Sequence, residues 1–97
     1  MSVFTLQANC NHAAQYYVPA NGMIRFEVES EFPIVVVVMD LANLMEFRAG
    51  RTYNYFGPAT PNTMHHQTFG LPFRGQWFLV MINYNQFSTA VHFNAWS

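Results

Sequence analysis

Pro33-Ile34-Val35-Val36-Val37-Val38-Met39-Asp40 is the stretch that decides the fold. Four consecutive valines restrict their own side-chain torsions and fit a pleated strand better than a helix. The run does not alternate with polar residues, which predicts a strand covered on both faces. It is far shorter than the ~20 apolar residues that cross a bilayer as a helix. Asp40 closes it and reads as the N-cap of a short helix near 41–48. The alternative is a loop over Asp40 to Asn43.

Outward from this run the dominant period is two. Upstream, Met23, Arg25, Glu27 and Glu29 alternate with Ile24, Phe26 and Val28, a strand with one wet and one buried face. Pro19-Ala20-Asn21-Gly22 is a turn signal before it. Val3 to Ala8 and Ala14 to Val18 both read as extended. Downstream, Gly50 ends the helical segment, Thr52 to Phe56 reads as a strand, and Gly57-Pro58-Ala59-Thr60-Pro61-Asn62 breaks it. Met64 to Leu71 and Gln76 to Tyr84 are further strands about the turn Pro72-Phe73-Arg74-Gly75. Ser88 to Trp96 reads as the hairpin partner of Gln76 to Tyr84. The expectation is one all-β domain over 1–97, a small antiparallel β-sandwich of jelly-roll type with at most one short helix.

Composition limits what such a domain does. The chain has 97 residues, 52% hydrophobic and 18% aromatic, with only 9% charged. Globular domains average roughly a quarter charged. So few charges cover a small surface poorly, which predicts a homo-oligomer. A net charge of -1 gives no general field for a long nucleic acid or an anionic membrane. One cysteine, Cys10, leaves no internal disulfide or Cys-based zinc site. No basic and apolar leader opens the sequence, so a cytoplasmic location is expected, in a bacterial cell or a phage-infected host.

All five carboxylates lie between Glu27 and Glu46, and lysine is absent. Arg48, Arg51 and Arg74 follow, among Tyr53, Tyr55, Trp77, His65 and His66. Guanidinium forks grip phosphate or carboxylate bidentately and rings stack on planar groups. This pattern predicts a site for a small anionic ligand, with those eight residues as its candidates. Gly75 would let a ligand approach the backbone beside Arg74.

Catalytic and metal signals are weaker. Adjacent His65 and His66 point to opposite faces of a strand, and Cys10 with His12 is a thin metal signal, so no metal or cofactor is expected. No carboxylate follows Glu46 to orient a histidine base. Glu27 and Glu29 read as a solvated face partnered by Arg25. A small phosphodiesterase using His65 and His92 as acid and base is the enzymatic alternative. A protein-interaction module with an aromatic surface is the other.

Three stretches resemble a bacterial family of short all-β proteins, the domain of unknown function numbered eighteen eighty-three. They are VVVVMDLANLMEFRAG at 35 to 50, RTYNYFG at 51 to 57 and RGQWFLVMINY at 74 to 84, so the resemblance spans about 35–97. Gln76 and Phe78 stand where that family has histidines, and Pro58 replaces a glycine. The resemblance implies a jelly-roll sandwich without enzymatic activity. Because such proteins occur beside TIR-type signalling domains in bacterial defence, it also implies a signalling nucleotide as ligand, one that a stand-alone protein could sequester.

Overall fold

The computed structural model describes residues 2–19 and 22–96. Its elements run β1 (Ser2–Leu6), β2 (Asn11–Val18), β3 (Met23–Asp40), α1 (Leu41–Arg48), β4 (Asn62–Gly70), β5 (Gly75–Ile82) and β6 (Thr89–Trp96). The chain is all-β with one short helix, as its period-two pattern predicts. Ala20 and Asn21 of the predicted turn lie outside the described residues. The flanking Gly22 N–H donates to Pro19 O at 2.9 Å.

The architecture hangs on β3. Eighteen residues at about 3.3 Å each would run to roughly 60 Å, yet the longest dimension of the molecule is 38 Å. The strand must therefore bend. It does so between Glu29 and Ile34, where its register with β4 shifts. The bend exposes backbone groups, and side chains satisfy them. Ser30 Oγ donates to Phe32 O at 2.6 Å, Phe32 N–H to Thr89 Oγ1 at 3.0 Å, and Asn85 Nδ2 to Pro33 O at 2.9 Å. Pro33 itself has no N–H to satisfy.

Because of the bend, one strand serves two sheets. The first half of β3 lies between β6 and β4, with β1 beyond β6. The second half pairs with β5, which pairs with β2. Ile24, Phe26, Val28, Val36, Val38, Leu79, Met81, Val91 and Phe93 meet between the sheets in the main core. The other face of the valine strand carries Val35, Val37 and Met39, which join Phe78, Val80, Ile82 and Leu44 of α1. Both faces of the run are thus covered, which explains why it does not alternate.

Two sequence expectations fail here. β6 does not pair with β5; it crosses to the other sheet and pairs with β1 and β3. The crossing is held by Asn83, fully buried, whose Nδ2 donates to Phe87 O at 2.9 Å and to Leu6 O and Gln7 O at 3.2 Å. Its Oδ1 accepts from Asn85 N–H at 2.9 Å. Thr52 to Phe56 is not a strand either. Only Phe56 pairs, exchanging two hydrogen bonds with Val38 at 2.9 and 2.8 Å, because Asn43 Oδ1 takes the Asn54 N–H at 2.8 Å and pulls the segment onto the helix.

Candidate functional site

Two adjoining grooves lie at the start of α1. Asp40 is its N-cap: Oδ1 accepts from Asn43 N–H at 2.9 Å and from Asn43 Nδ2 at 2.7 Å. The helix and loop alternatives for this segment therefore resolve to a capped helix. One side of α1 packs down through Leu44, and Phe47 meets Tyr53 edge-on at 5.0 Å. The other side leaves Leu41 and Met45, one helical turn apart, 46% and 61% exposed.

The β4–β5 turn faces this helix. Phe73 lies 4.8 Å from Trp77, ring to ring, and Trp77 Nε1–H donates to Phe73 O at 3.0 Å. Between helix and turn runs a groove of about 470 Å3, lined by Asp40, Leu41, Ala42, Met45, Phe73 and Gln76. A second, narrower groove of about 220 Å3 shares Asp40 and Phe73 and continues past Asn43, Asn54, Tyr55 and Trp77. Both are mainly apolar, and Asp40 is the one charged residue lining either. Its Oδ1 is already taken by Asn43, whereas Oδ2 has no hydrogen-bond partner among the described residues. Chemically, the site offers rings and thioether around a free carboxylate oxygen, a place for an apolar group with a hydrogen-bond donor or cation beside it.

The residues predicted for an anion site are scattered around this feature. Tyr55 and Trp77 line the narrow groove, but Trp77 is only 2% exposed and belongs to the core. Tyr53 is half-buried between Phe47 and Tyr55. Burial and the neighbouring phenols Tyr84 and Tyr55 hold its hydroxyl pKa above the usual value. Arg48 and Arg51 stand at the opposite end of the helix, and Arg74 is exposed in the β4–β5 turn. None of the three lines either groove. Arg51 is already engaged by Glu46 through Nε at 2.6 Å and Nη2 at 3.0 Å. That bidentate bond holds the Glu46 carboxyl below its ordinary range and raises the Arg51 guanidinium. Gly75 has no close neighbour; its φ of +142° is what calls for glycine.

The histidines separate as well. His65 points inward, 5% exposed, with Nε2 2.8 Å from Ile34 O and 3.1 Å from Asn62 O. His66 points outward, 3.7 Å from Glu29. His92 pairs with Glu29 in register and is exposed on that outer face. His65 and His92 therefore lie on opposite sides of one sheet and cannot act as acid and base on one substrate. Arg25 does partner Glu27, at 3.2 Å, and lies 5.3 Å over the Trp96 ring. His12 packs its ring 4.8 Å from Phe4. Among the described residues no group of three His, Cys, Asp or Glu side chains has metal-binding geometry, and no helix is long and apolar enough to cross a membrane.

Sequence reasoning did not assign Asp40, read there only as a helix cap, or Leu41, Met45, Phe73 and Gln76 to a site. The signal was present in the first three, an Asp cap followed by apolar residues four apart. No family model matches the chain, and no curated protein matches it. The family resemblance rests on the quoted stretches alone.

Proposed function

We propose that this chain is a non-enzymatic binding module whose groove at the start of α1 takes a segment of another protein. The segment presents an apolar or aromatic side chain next to a basic one. The observation that carries this reading is the single carboxylate, Asp40, in an otherwise apolar pair of grooves rimmed by exposed Leu41, Met45, Tyr55 and Phe73. Aromatic residues and Met are enriched where proteins meet, and a partly buried carboxylate favours a cationic or N–H donor partner.

A second reading keeps the signalling nucleotide. Its base would lie along Tyr55 and Phe73, and Arg74, next to Phe73 in sequence and without a carboxylate partner among the described residues, would meet the phosphate. A cytoplasmic role in bacterial or phage defence belongs to this reading and rests on the resemblance only.

One titration separates the two. Short peptides pairing Leu or Phe with Lys or Arg, the same peptides with Glu, and a set of linear and cyclic nucleotides are added to labelled protein. Amide shifts are followed at Leu41, Met45 and Gln76. Basic peptides should move these signals, and Phe73→Ala should abolish the effect. Binding of nucleotides or acidic peptides there, with none of the basic ones, overturns the first reading.

A further inference from the structure

β2 ends its sheet. It pairs with β5 over Asn11–Val18 without a break, and no described residue pairs with its other side. The direction of its free backbone groups follows from one contact. Asn83 N–H donates to Cys10 O at 2.9 Å, and this pair extends the β2–β5 register by one step. Backbone groups alternate sides along an antiparallel strand. His12, Ala14, Tyr16 and Val18 therefore turn theirs toward β5, while Asn11, Ala13, Gln15 and Tyr17 turn theirs outward.

Exposed edges are normally blunted by lysine, proline, a bulge or a covering segment. β2 has none of these, and no Asp, Glu, Lys or Arg at all. The other edges are poorer templates: β1 is five residues long, β4 carries the register shift opposite the bend, and Phe56 already pairs with Val38 on the open side of the second half of β3. The edge of β2 is also bordered by apolar surface, since Tyr17 is 63% exposed and sits across from Gln76 of the wide groove.

We propose that two copies of this chain pair through the free edge of β2, antiparallel about a two-fold axis at Ala14. The register is constrained. Directly opposed residues share a sheet face, so the outward set must pair with itself, and a centre at Ala14 engages its full length. Asn11 then faces Tyr17 of the other copy, and Ala13 faces Gln15. Every outward N–H of the four meets a carbonyl, which is what an isologous contact requires. The two sheets merge into one, with both α1 helices and both grooves on the same side. The chain's 9% charged content fits a protein that buries surface in this way. The pairing does not depend on what the groove binds.

Light scattering after size exclusion, from nanomolar to high micromolar protein, reads the mass directly. The wild type should approach twice 11.2 kDa as concentration rises. Gln15→Pro removes an N–H that faces outward and leaves the β2–β5 donors in place. Gln15→Lys puts a charge on the edge without touching the backbone. Both should stay at 11.2 kDa, with Gln15→Lys deciding the matter if the proline variant does not fold. Hydrogen exchange adds the register: amides of Asn11, Ala13, Gln15 and Tyr17 should gain protection with concentration, while His12, Ala14 and Tyr16 are protected throughout. A wild type of 11.2 kDa at all concentrations, a folded Gln15→Lys that still dimerises, or protection that does not alternate would each overturn the proposal.

Discussion

Replacing Asn83 by aspartate should cost a large share of the stability of the chain. The two side chains have nearly the same shape, so the substitution creates no cavity and isolates one property, the donor. In the wild type the buried amide nitrogen serves three carbonyls, those of Leu6, Gln7 and Phe87, at 3.2, 3.2 and 2.9 Å. Aspartate turns that nitrogen into an oxygen facing the same three acceptors. Each partner left unsatisfied costs about 1–3 kcal/mol, and an ionised carboxylate without a donor costs more. A total of about 4 kcal/mol is a large share of the roughly 5–15 kcal/mol that holds a domain of this size. With a urea slope of about 1–1.5 kcal/mol per molar, the midpoint should fall by about 3 M. Urea titration followed by the fluorescence of buried Trp77 measures this. The carbonyls favour the protonated acid, so its folded-state pKa is raised. The deficit is then smallest below the ordinary carboxylate value near 4 and grows as pH rises through the folded-state value. An unfolding free energy within about 0.5 kcal/mol of wild type, inside the error of such extrapolations, would refute the argument. So would a deficit that is the same at pH 4 and pH 7.

Asp40→Ala should lose about 1 kcal/mol through the missing cap, whereas Asp40→Asn should hold stability and weaken binding of basic peptides; calorimetry reads both. Arg51→Ala should leave the unfolding midpoint and peptide binding unchanged, because its partner Glu46 is a solvent-screened neighbour; a loss of binding would restore the arginine to the site. Stability should fall as pH rises above 10, since burial raises the pKa of Tyr16 and Tyr53 from 10.0. The folded state then holds protons that the unfolded chain releases. Urea midpoints measured from pH 8 to 11 check it, and a constant midpoint would contradict the burial of these phenols.

The strands were legible because their signals are local. β-branching, period two and the Pro-Phe-Arg-Gly turn mark β4 and β5 within a residue or two and mark both halves of β3, which read as two strands in the sequence and are one bent strand in the structure, and Asp40 marks the helix start. Partner choice was not legible. Nothing near Ser88 to Trp96 announces that it crosses to β1 and β3, because the decision lies in Asn83, whose three acceptors come from both ends of the chain. The site misled for a related reason. Arginines beside tyrosines in sequence suggested convergence, yet a helix separates Arg48 and Arg51 from the groove end, and one of them is consumed by Glu46. Trp77 alternates into the core by the same period of two that identified its strand.

The shared strand has a kinetic consequence. β4, β5 and β6 all dock on β3, and none can find its place until β3 is extended and bent. Such non-local pairing puts folding in the millisecond-to-second range typical of all-β sandwiches. It also makes Ile34–Asp40 the natural nucleus. Conservative truncations there, such as Val37→Ala, should slow refolding, while truncations in β1 should mainly speed unfolding. A domain that forms late and exposes an uncharged valine run meanwhile has reason to bury its remaining edges quickly.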